Sequence, residues 1–183
     1  MTKERSGNHS SSSKEPVHIR RNIQDFDDPY IPEEHIPDGT TCDLCGSVAH
    51  EGHWHVSADY QLPIRKGEHR NNEVHHKTLC PACRKIQDHV PGGVLQITGS
   101  FFWDHEEEIL NLIRNEAIKA MGLNPLERIM SLEYGDGVIE ITTTNEKLAQ
   151  RIGKALHKSY SGTIEYKWSE DTKLARVSWH RDS

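Results

Sequence analysis

The stretches Cys42-Asp43-Leu44-Cys45 and Cys80-Pro81-Ala82-Cys83 are matched C-x2-C units that contain every cysteine of the 183-residue chain. A two-residue spacer lets one tight turn direct both thiolates of a pair at one ion, and four cysteine sulfurs satisfy tetrahedral zinc. Gly46 and Pro81 suit such turns, because glycine accepts positive φ and proline presets φ. The spacing therefore predicts one structural Zn²⁺ with four ligands: Cys42, Cys45, Cys80 and Cys83.

Disulfide bonds and thiol redox chemistry are the alternatives for these cysteines. Disulfides are typical of secreted proteins, but residues 1–14 are rich in serine and charge and contain no apolar run of the signal-peptide kind. A redox C-x-x-C is expected at the strand-to-helix turn of a βαβ unit, whereas these pairs lie about 35 residues apart in Gly- and His-rich sequence. We therefore expect a reducing, cytoplasmic location.

The composition limits the size of the core, since only 34% of the residues are hydrophobic. No stretch approaches the roughly 20 apolar residues that cross a bilayer, so no membrane partner is expected. The net charge of −6 argues against a generally basic nucleic-acid binder. Its distribution is uneven: residues 1–21 and 145–183 each carry a balance of +3, and residues 22–41 and 104–144 each carry −6.

Three regions follow from these patterns. Residues 1–39 contain little apolar material and predict a flexible arm. Residues 40–103 are rich in turns and in metal-ligand residues, which predicts a zinc-binding module of the zinc-ribbon or treble-clef type. Residues 104–183 predict an α+β domain. Such small zinc modules expose much of their surface and commonly bind RNA, DNA or protein.

The α+β domain is predicted as αββαββ, an antiparallel sheet with helices on one face. Its first helix starts near Asp104, a candidate N-cap, and stops at Gly122. Two strands, 129–134 and 138–143, flank a Gly-Asp-Gly turn. Thr143-Thr144-Asn145-Glu146 has capping-box spacing and predicts a helix over about 144–157, and two alternating strands follow it.

The second predicted helix carries a basic stripe. Its four cations are spaced four, three and four residues apart, which confines them to an arc of about 60°. Apolar positions take the face that packs on the sheet, so the stripe points outward. A stripe of this kind suits contacts with phosphates, and a solubilising surface is the alternative. The stripe residues are Lys147, Arg151, Lys154 and Lys158.

Histidines are concentrated in the predicted zinc module, which raises a second alternative. His53 and His55 would lie on one side of a strand, and His75 or His76 could supply a third ligand of a hydrolytic metal site. No carboxylate at H-E-x-x-H spacing accompanies them. A metal-dependent hydrolase is therefore the weaker hypothesis.

Several motifs resemble a bacterial zinc-finger family, across roughly residues 40–180. They are Cys42-Asp43-Leu44-Cys45-Gly46, Gly52-His53-Trp54, Cys80-Pro81-Ala82-Cys83, His105-Glu106-Glu107-Glu108-Ile109-Leu110-Asn111-Leu112-Ile113-Arg114-Asn115-Glu116, Pro125-Leu126-Glu127-Arg128-Ile129-Met130 and Thr142-Thr143-Thr144-Asn145-Glu146-Lys147-Leu148-Ala149. That family is distantly related to the archaeal and eukaryotic adaptor for nuclear export of the large ribosomal subunit. The adaptor has more than one zinc module, whereas this chain has cysteines for one. The resemblance implies contact with ribosomal RNA on the large subunit.

The function expected from the sequence is a non-enzymatic, zinc-stabilised protein that binds RNA or the ribosome during stress or a hibernation-like idle state, with ribosomal proteins as further candidate partners. The basic stripe, with Arg20 and Arg21 of the arm, would bind phosphates, and Trp54 or His55 would stack on a base. A regulatory protein-interaction module that uses the acidic arm and Glu106, Glu107 and Glu108 is the alternative. The oligomeric state stays open.

Overall fold

Nine strands in two sheets, with four helices, make up the part of the chain that the computed structural model describes: residues 28–31, 36–57, 76–169 and 174–183. Both sheets are mixed, because each contains one parallel strand pair. No helix in these ranges is long and apolar enough to cross a bilayer. The predicted mixture of helices and strands is therefore confirmed at the level of fold class.

The smaller sheet belongs to the cysteine lobe, the name used here for described residues 36–57 and 76–90. Its strands are only two or three residues long and lie in the order β3-β2-β1-β4. β1 pairs antiparallel with β2 and parallel with β4, and the helix α1 follows directly. The elements are β1 (Thr41–Cys42), β2 (Val48–His50), β3 (His53–His55), β4 (Lys77–Thr78) and α1 (Pro81–Asp88).

Part of the predicted arm contacts this lobe. Asp28 Oδ2 lies 2.6 Å from Nζ of Lys85 on α1, and the same ammonium group lies 5.6 Å from the ring centre of Tyr30. Ile36 packs against the buried cluster that contains the cysteines. Asp28, Tyr30 and Ile36, which lie in the predicted arm of residues 1–39, therefore make tertiary contacts with the cysteine lobe. Residues 1–27, with Arg20 and Arg21, lie outside the described residues, and the prediction of a flexible arm stays a prediction.

The larger sheet has five strands in the order β6-β7-β5-β9-β8. β5 is central: it pairs antiparallel with β7 and parallel with β9. The prediction of a purely antiparallel sheet is therefore wrong, because the sequence pattern gives the face of a strand but not its partner. The strands are β5 (Gly93–Thr98), β6 (Ile129–Tyr134), β7 (Val138–Thr143), β8 (Thr163–Trp168) and β9 (Ala175–His180).

The position of β5 also bears on the predicted boundary after residue 103. The predicted zinc module of residues 40–103 includes residues 93–98, and in the structure these form the centre of the sheet that packs under the following helices. Elements after β5 come in the order helix, two strands, helix, two strands, preceded by the short helix α2. The helices are α2 (Ser100–Asp104), α3 (Glu106–Leu123) and α4 (Glu146–Tyr160).

Two predicted helix caps differ from the observed ones. Asp104 ends α2, and α3 begins after His105, whose side chain makes no capping hydrogen bond. α4 begins after Asn145, whose Oδ1 accepts from the Leu148 backbone N–H at 3.1 Å. The capping-box prediction placed this role on the threonines. Thr143 is inside β7 instead, and its hydroxyl donates to the carbonyl oxygens of Gly93 and Asn145.

One face of the large sheet is buried under α3 and α4. Alternate residues of the three inner strands point into this core, and each of these six is at most 1% exposed: Leu95, Ile97, Ile139, Ile141, Val177 and Trp179. α4 approaches closely because Ala149 and Gly153 face the sheet. A Cβ added at Gly153 would lie 2.6 Å from Cγ1 of Val177. The opposite face is polar, with Gln96 donating to Glu140 at 3.0 Å.

Candidate metal centre and basic helix

The four cysteines converge on one point at the junction of β1 and α1. β1 ends at Cys42, and the following turn carries Cys45, with the Gly46 N–H donating to the Cys42 carbonyl at 2.9 Å and φ of +73° at the glycine. A positive φ at this place favours glycine. The parallel pairing of Cys42 with Thr78 brings the second cysteine pair alongside the first.

The second pair occupies the start of α1. Cys80 is the N-cap residue, Pro81 follows at the first helical position, and Cys83 completes the first turn. Proline is tolerated at this position because its missing N–H has no partner inside the helix. Cys80 Sγ accepts from the Cys83 N–H at 3.5 Å, and the Cys80 N–H donates to Cys42 Sγ at 3.3 Å. Helical geometry therefore directs both thiols of the pair to the same side.

The sulfur positions fit a tetrahedral metal ion. All four Sγ atoms lie within 4.8 Å of one another, and Cys45 Sγ is 3.8 Å from Cys80 Sγ. A regular tetrahedron with Zn–S bonds of about 2.3 Å has edges of about 3.8 Å. None of the four cysteines forms a disulfide. The cluster can therefore hold a metal ion, and among the described residues it is the only group of three or more potential ligands.

The thiols do not share one proton affinity. Burial raises the pKa of Cys45, but hydrogen bonds with Ser47 and Arg128 outweigh burial and lower this pKa to about 6. Burial raises the pKa of Cys83 to about 11, and the pKa of Cys80 is raised further by burial and by the neighbouring sulfurs. Four crowded thiolates repel one another, so a bound cation would favour the fully ionised set.

Arg128 supports this centre, a role that the sequence patterns do not predict. Its guanidinium lies 3.6 Å from Cys83 Sγ through Nη1 and 3.4 Å from Ser47 Oγ through Nη2, while Nε donates to the Pro125 carbonyl at 2.6 Å. Its backbone N–H donates to the Thr144 hydroxyl at 2.9 Å. Burial lowers the pKa of Arg128, and the cysteine sulfurs raise it more. Arg128 therefore joins the cysteine lobe to the large sheet.

The sequence marks Arg128 only by its place in the motif Pro125-Leu126-Glu127-Arg128-Ile129-Met130. An arginine before a strand has no periodic signature, because the contact that defines its role joins residues 45 positions apart. Metal-site partners of this kind orient the ligands.

Replacing Arg128 by alanine should weaken metal binding by about ten- to a hundredfold, because Cys83 and Ser47 lose their charged donor. Competition with a metal-binding dye would measure the affinity. Arg114→Ala is the matched control, since the Arg114 guanidinium donates to Asn111 on the surface of α3, at 2.8 Å, and contacts no cysteine among the described residues. Equal affinities for both variants would contradict the assigned role of Arg128.

The histidines proposed for a hydrolytic site do not converge within the described residues. His53, His55 and His76 belong to no group of three potential ligands there. His50 Nδ1 instead lies 2.9 Å from a carboxylate oxygen of Asp38. His75 lies outside the described residues. No geometry for a second metal site is therefore found in the described part of the chain.

The predicted stacking of Trp54 on an RNA base is wrong. Its side chain is only 8% exposed and packs in the buried cluster with the cysteines, so its face is not open to a base. The strand alternation around residues 53–55 explains the burial, since the residue between two outward histidines faces inward. His55, which is half-buried, lies on the outward side of β3.

The basic stripe lies on the outer surface of α4. Lys147, Lys154 and Lys158 are exposed, and Arg151 is half-buried. The opposite side of α4 packs on the sheet through Leu148, Ala149, Ile152, Gly153 and Leu156. Within the described ranges none of the four cations forms an ion pair, whereas Lys85, Lys119 and Lys167 each lie within 4.0 Å of a carboxylate.

The stripe begins near the metal centre. Thr144, two residues before α4, accepts from the Arg128 backbone N–H, and Arg128 contacts Cys83. From Lys147 to Lys158 the helix rises by about 16 Å, at about 1.5 Å per residue. The cysteine cluster and the stripe are therefore linked by one short path through Arg128.

Comparisons with family models, curated proteins and solved structures give no match to this chain.

Proposed function

We propose that this protein is a non-enzymatic, zinc-stabilised RNA-binding protein that contacts the large ribosomal subunit when translation is stressed or idle. The observation that carries the proposal is the basic stripe of four cations on α4, which have no ion-pair partner among the described residues. A surface that served only solubility would gain by pairing such charges with acids at i,i+4, as helices commonly do. A row of unneutralised charges instead favours a polyanion.

The spacing of the cations in the basic stripe suits a nucleic-acid backbone. Four cations over about 16 Å of rigid helix can reach several successive phosphates, which recur about every 3.4 Å along the axis on each strand of a duplex. The contacts would give affinity that depends on salt and little on sequence. Sequence preference would come from single-stranded bases, and His55 remains the candidate for such stacking in place of Trp54. Arg20 and Arg21 remain candidates for further phosphate contacts.

Zinc is the metal we assign to the cysteine cluster. Four thiolates at tetrahedral spacing suit Zn²⁺, and a site with four protein ligands has no open position for water. The ion would therefore brace the lobe and take no part in a reaction. Through Arg128 the same ion would fix the cysteine lobe beside the first turn of α4. The resemblance of the sequence to zinc-finger relatives of the ribosomal export adaptor supports the same class of partner.

Reversing a charge in the basic stripe should release the protein from ribosomal particles. With purified large subunits at low salt, Arg151→Glu should lower the affinity about tenfold, and Arg151→Glu with Lys154→Glu about a hundredfold, because attraction to phosphate becomes repulsion. Sedimentation through sucrose measures the bound fraction.

Lys119→Glu is the matched control for charge. Lys119 is exposed on the neighbouring helix α3, but it already lies 2.9 Å from Glu116. This variant changes the net charge by the same amount and should sediment with large subunits as the unchanged protein does. If all three variants bind equally, or if the unchanged protein stays in the free fraction at low salt, the proposed function is wrong.

A further inference from the structure

Two aromatic side chains lie next to each other on the edge strand β8. Tyr166 and Trp168 are two residues apart, and their rings stack with centres 6.0 Å apart and planes tilted by 20°. Tyr166 packs partly against the core of the large sheet, whereas Trp168 is 39% exposed. The sheet order ends at β8, so no strand in the described part of the chain pairs with its outer edge. We call these two rings the aromatic platform.

The aromatic platform lies on the face of the sheet that carries α4. Tyr166 pairs with Val177, which is buried in the core under that helix. Ile164, two residues earlier, contacts the middle of α4, since a Cβ added at Gly153 would lie 3.0 Å from its Cδ1. Side chains alternate between the two faces along a strand, so Tyr166 and Trp168 continue the row that Ile164 begins. The platform therefore lies beside α4 and not on the polar face of the sheet.

The strand register places Trp168 close to the beginning of the basic stripe. Trp168 pairs with Ala175 on β9, and Ala175 pairs with Gly93 on β5. Two interstrand spacings of about 4.8 Å put the backbone of Trp168 about 10 Å from that of Gly93. Gly93 lies directly under α4, because a Cβ added there would be 2.8 Å from Cβ of Ala149. Ala149 lies between the first two cations of the stripe, so the platform is beside the turns of α4 that carry them.

We propose that the aromatic platform stacks an unpaired base of a single-stranded RNA segment whose phosphates lie along the basic stripe. This binding mode depends on the proposed RNA-binding function, and it specifies single-stranded RNA as the form that the stripe binds. Bases in a duplex are paired and stacked on their neighbours, so only an unpaired base is free to lie on a protein ring. Stacking of this kind tolerates any base, because every base has a π-face.

Charge distinguishes the aromatic platform from another exposed pair of aromatic rings. Trp103 is 45% exposed, and its ring centre lies 6.4 Å from that of Tyr134. Trp103 lines a hollow with Glu106 and Glu107, whose carboxylates would repel phosphates. The helix beside the platform carries instead the four cations of the stripe and a single carboxylate, that of Glu146. An RNA strand is therefore attracted to the platform and repelled from the surroundings of Trp103.

The test uses the full zinc-loaded chain and two fluorescein-labelled strands of 12 ribonucleotides with the same number of phosphates. One strand is oligouridine, which has little structure of its own, and the other has abasic sites in place of its internal bases. Fluorescence anisotropy at low salt measures both affinities. Oligouridine should bind about tenfold more tightly than the abasic strand, because only oligouridine offers bases that can stack.

Trp168→Ala is the decisive variant. It should bind both strands with the affinity that the unchanged protein has for the abasic strand, because the phosphate contacts stay and the stacking is lost. That unchanged affinity for the abasic strand also shows that the variant is folded. Trp168→Phe keeps an aromatic ring and should retain most of the preference for oligouridine. Trp103→Ala is the matched control and should retain all of it.

Arg151→Glu separates a failure of the platform from a failure of the proposed function. This variant loses a phosphate contact and no ring, so it should bind both strands more weakly and keep the tenfold preference. If Trp168→Ala also keeps the preference while Arg151→Glu weakens both strands, the platform is refuted and the RNA-binding function stands. If the unchanged protein binds neither strand at low salt, both proposals fail.

Three further outcomes overturn the role of the platform. Equal affinity of the unchanged protein for the two strands would show that no base is stacked. A ring that only covers the edge of the core would, when replaced in Trp168→Ala, lower the urea midpoint and leave the preference for oligouridine as it was. Loss of the preference in His55→Ala, but not in Trp168→Ala, would place the stacked base on β3 in the cysteine lobe.

Discussion

Withdrawing the metal with a chelator under reducing conditions is expected to unfold the cysteine lobe. In the part of the chain that the structure describes, its buried cluster contains six residues, and three of them are cysteines: Cys42, Ala49, Trp54, Cys80, Ala82 and Cys83. Its strands contain two or three residues each. So small a core does not offset the entropy cost of ordering the chain.

The size of this effect follows from zinc binding in comparable modules, which contributes about 10–16 kcal/mol at neutral pH, all of it available for folding. Amide NMR spectra with and without the chelator provide the measurement. Signals of residues 40–57 and 76–88 should collapse to unfolded positions, and Cys80→Ser should reproduce this result with zinc present.

The large sheet serves as the internal control of that experiment. Among the described residues its core contains fifteen buried side chains, none of them a cysteine, so β5 to β9 and the helices on them should keep dispersed signals. A metal-free chain with an unchanged spectrum over residues 40–57 would contradict the structural role of the cysteine cluster.

Replacing Trp179 by alanine is expected to cause the largest loss of stability from a single core substitution. Trp179 on β9 is fully buried, and its Nε1 donates to the Ser161 carbonyl at 2.8 Å. Its ring lies edge-on to Phe101 at 6.4 Å. Truncating a buried aromatic residue costs about 3–5 kcal/mol, and the carbonyl left without its donor costs about 1 kcal/mol or more.

That loss is a large part of the 5–15 kcal/mol that stabilises a typical domain. Urea unfolding of the large sheet provides the measurement. Trp168→Ala on the edge strand β8 is the matched control, because that side chain is 39% exposed and stacks on Tyr166 at a ring distance of 6.0 Å. Its expected cost is about 1 kcal/mol or less. Equal shifts of the two midpoints would show that Trp179 does not anchor the core.

Local patterns in the sequence predicted the elements of the fold well. The turn Gly135-Asp136-Gly137 and the alternating residues around it predicted both strands of the β6–β7 hairpin with the bounds that the structure has. The prediction of half-buried strands near the C-terminus is confirmed by the alternating burial of β9. The spacing of the cysteines predicted a cluster that the structure confirms, because the turn after β1 and the first turn of α1 each bring two thiols to the same side.

What the sequence did not reveal depends on contacts between distant residues. The parallel pairing of β5 with β9 joins segments about 80 residues apart, and no local pattern encodes that choice. The role of Arg128 comes from the packing of one lobe on the other. Trp54 was assigned to base stacking from its residue type, although the alternation of its own strand indicated that it faces inward.

The most direct test of the central claim is the salt dependence of binding between the zinc-loaded chain and purified large-subunit RNA. The logarithm of the dissociation constant should rise with the logarithm of salt concentration with a slope of about 3, as expected for four phosphate contacts at about 0.7–0.9 each. Arg151→Glu should reduce that slope by about one. A slope near zero, or the same slope in Arg151→Glu, would contradict the assignment of the basic stripe on α4 as the RNA-binding surface.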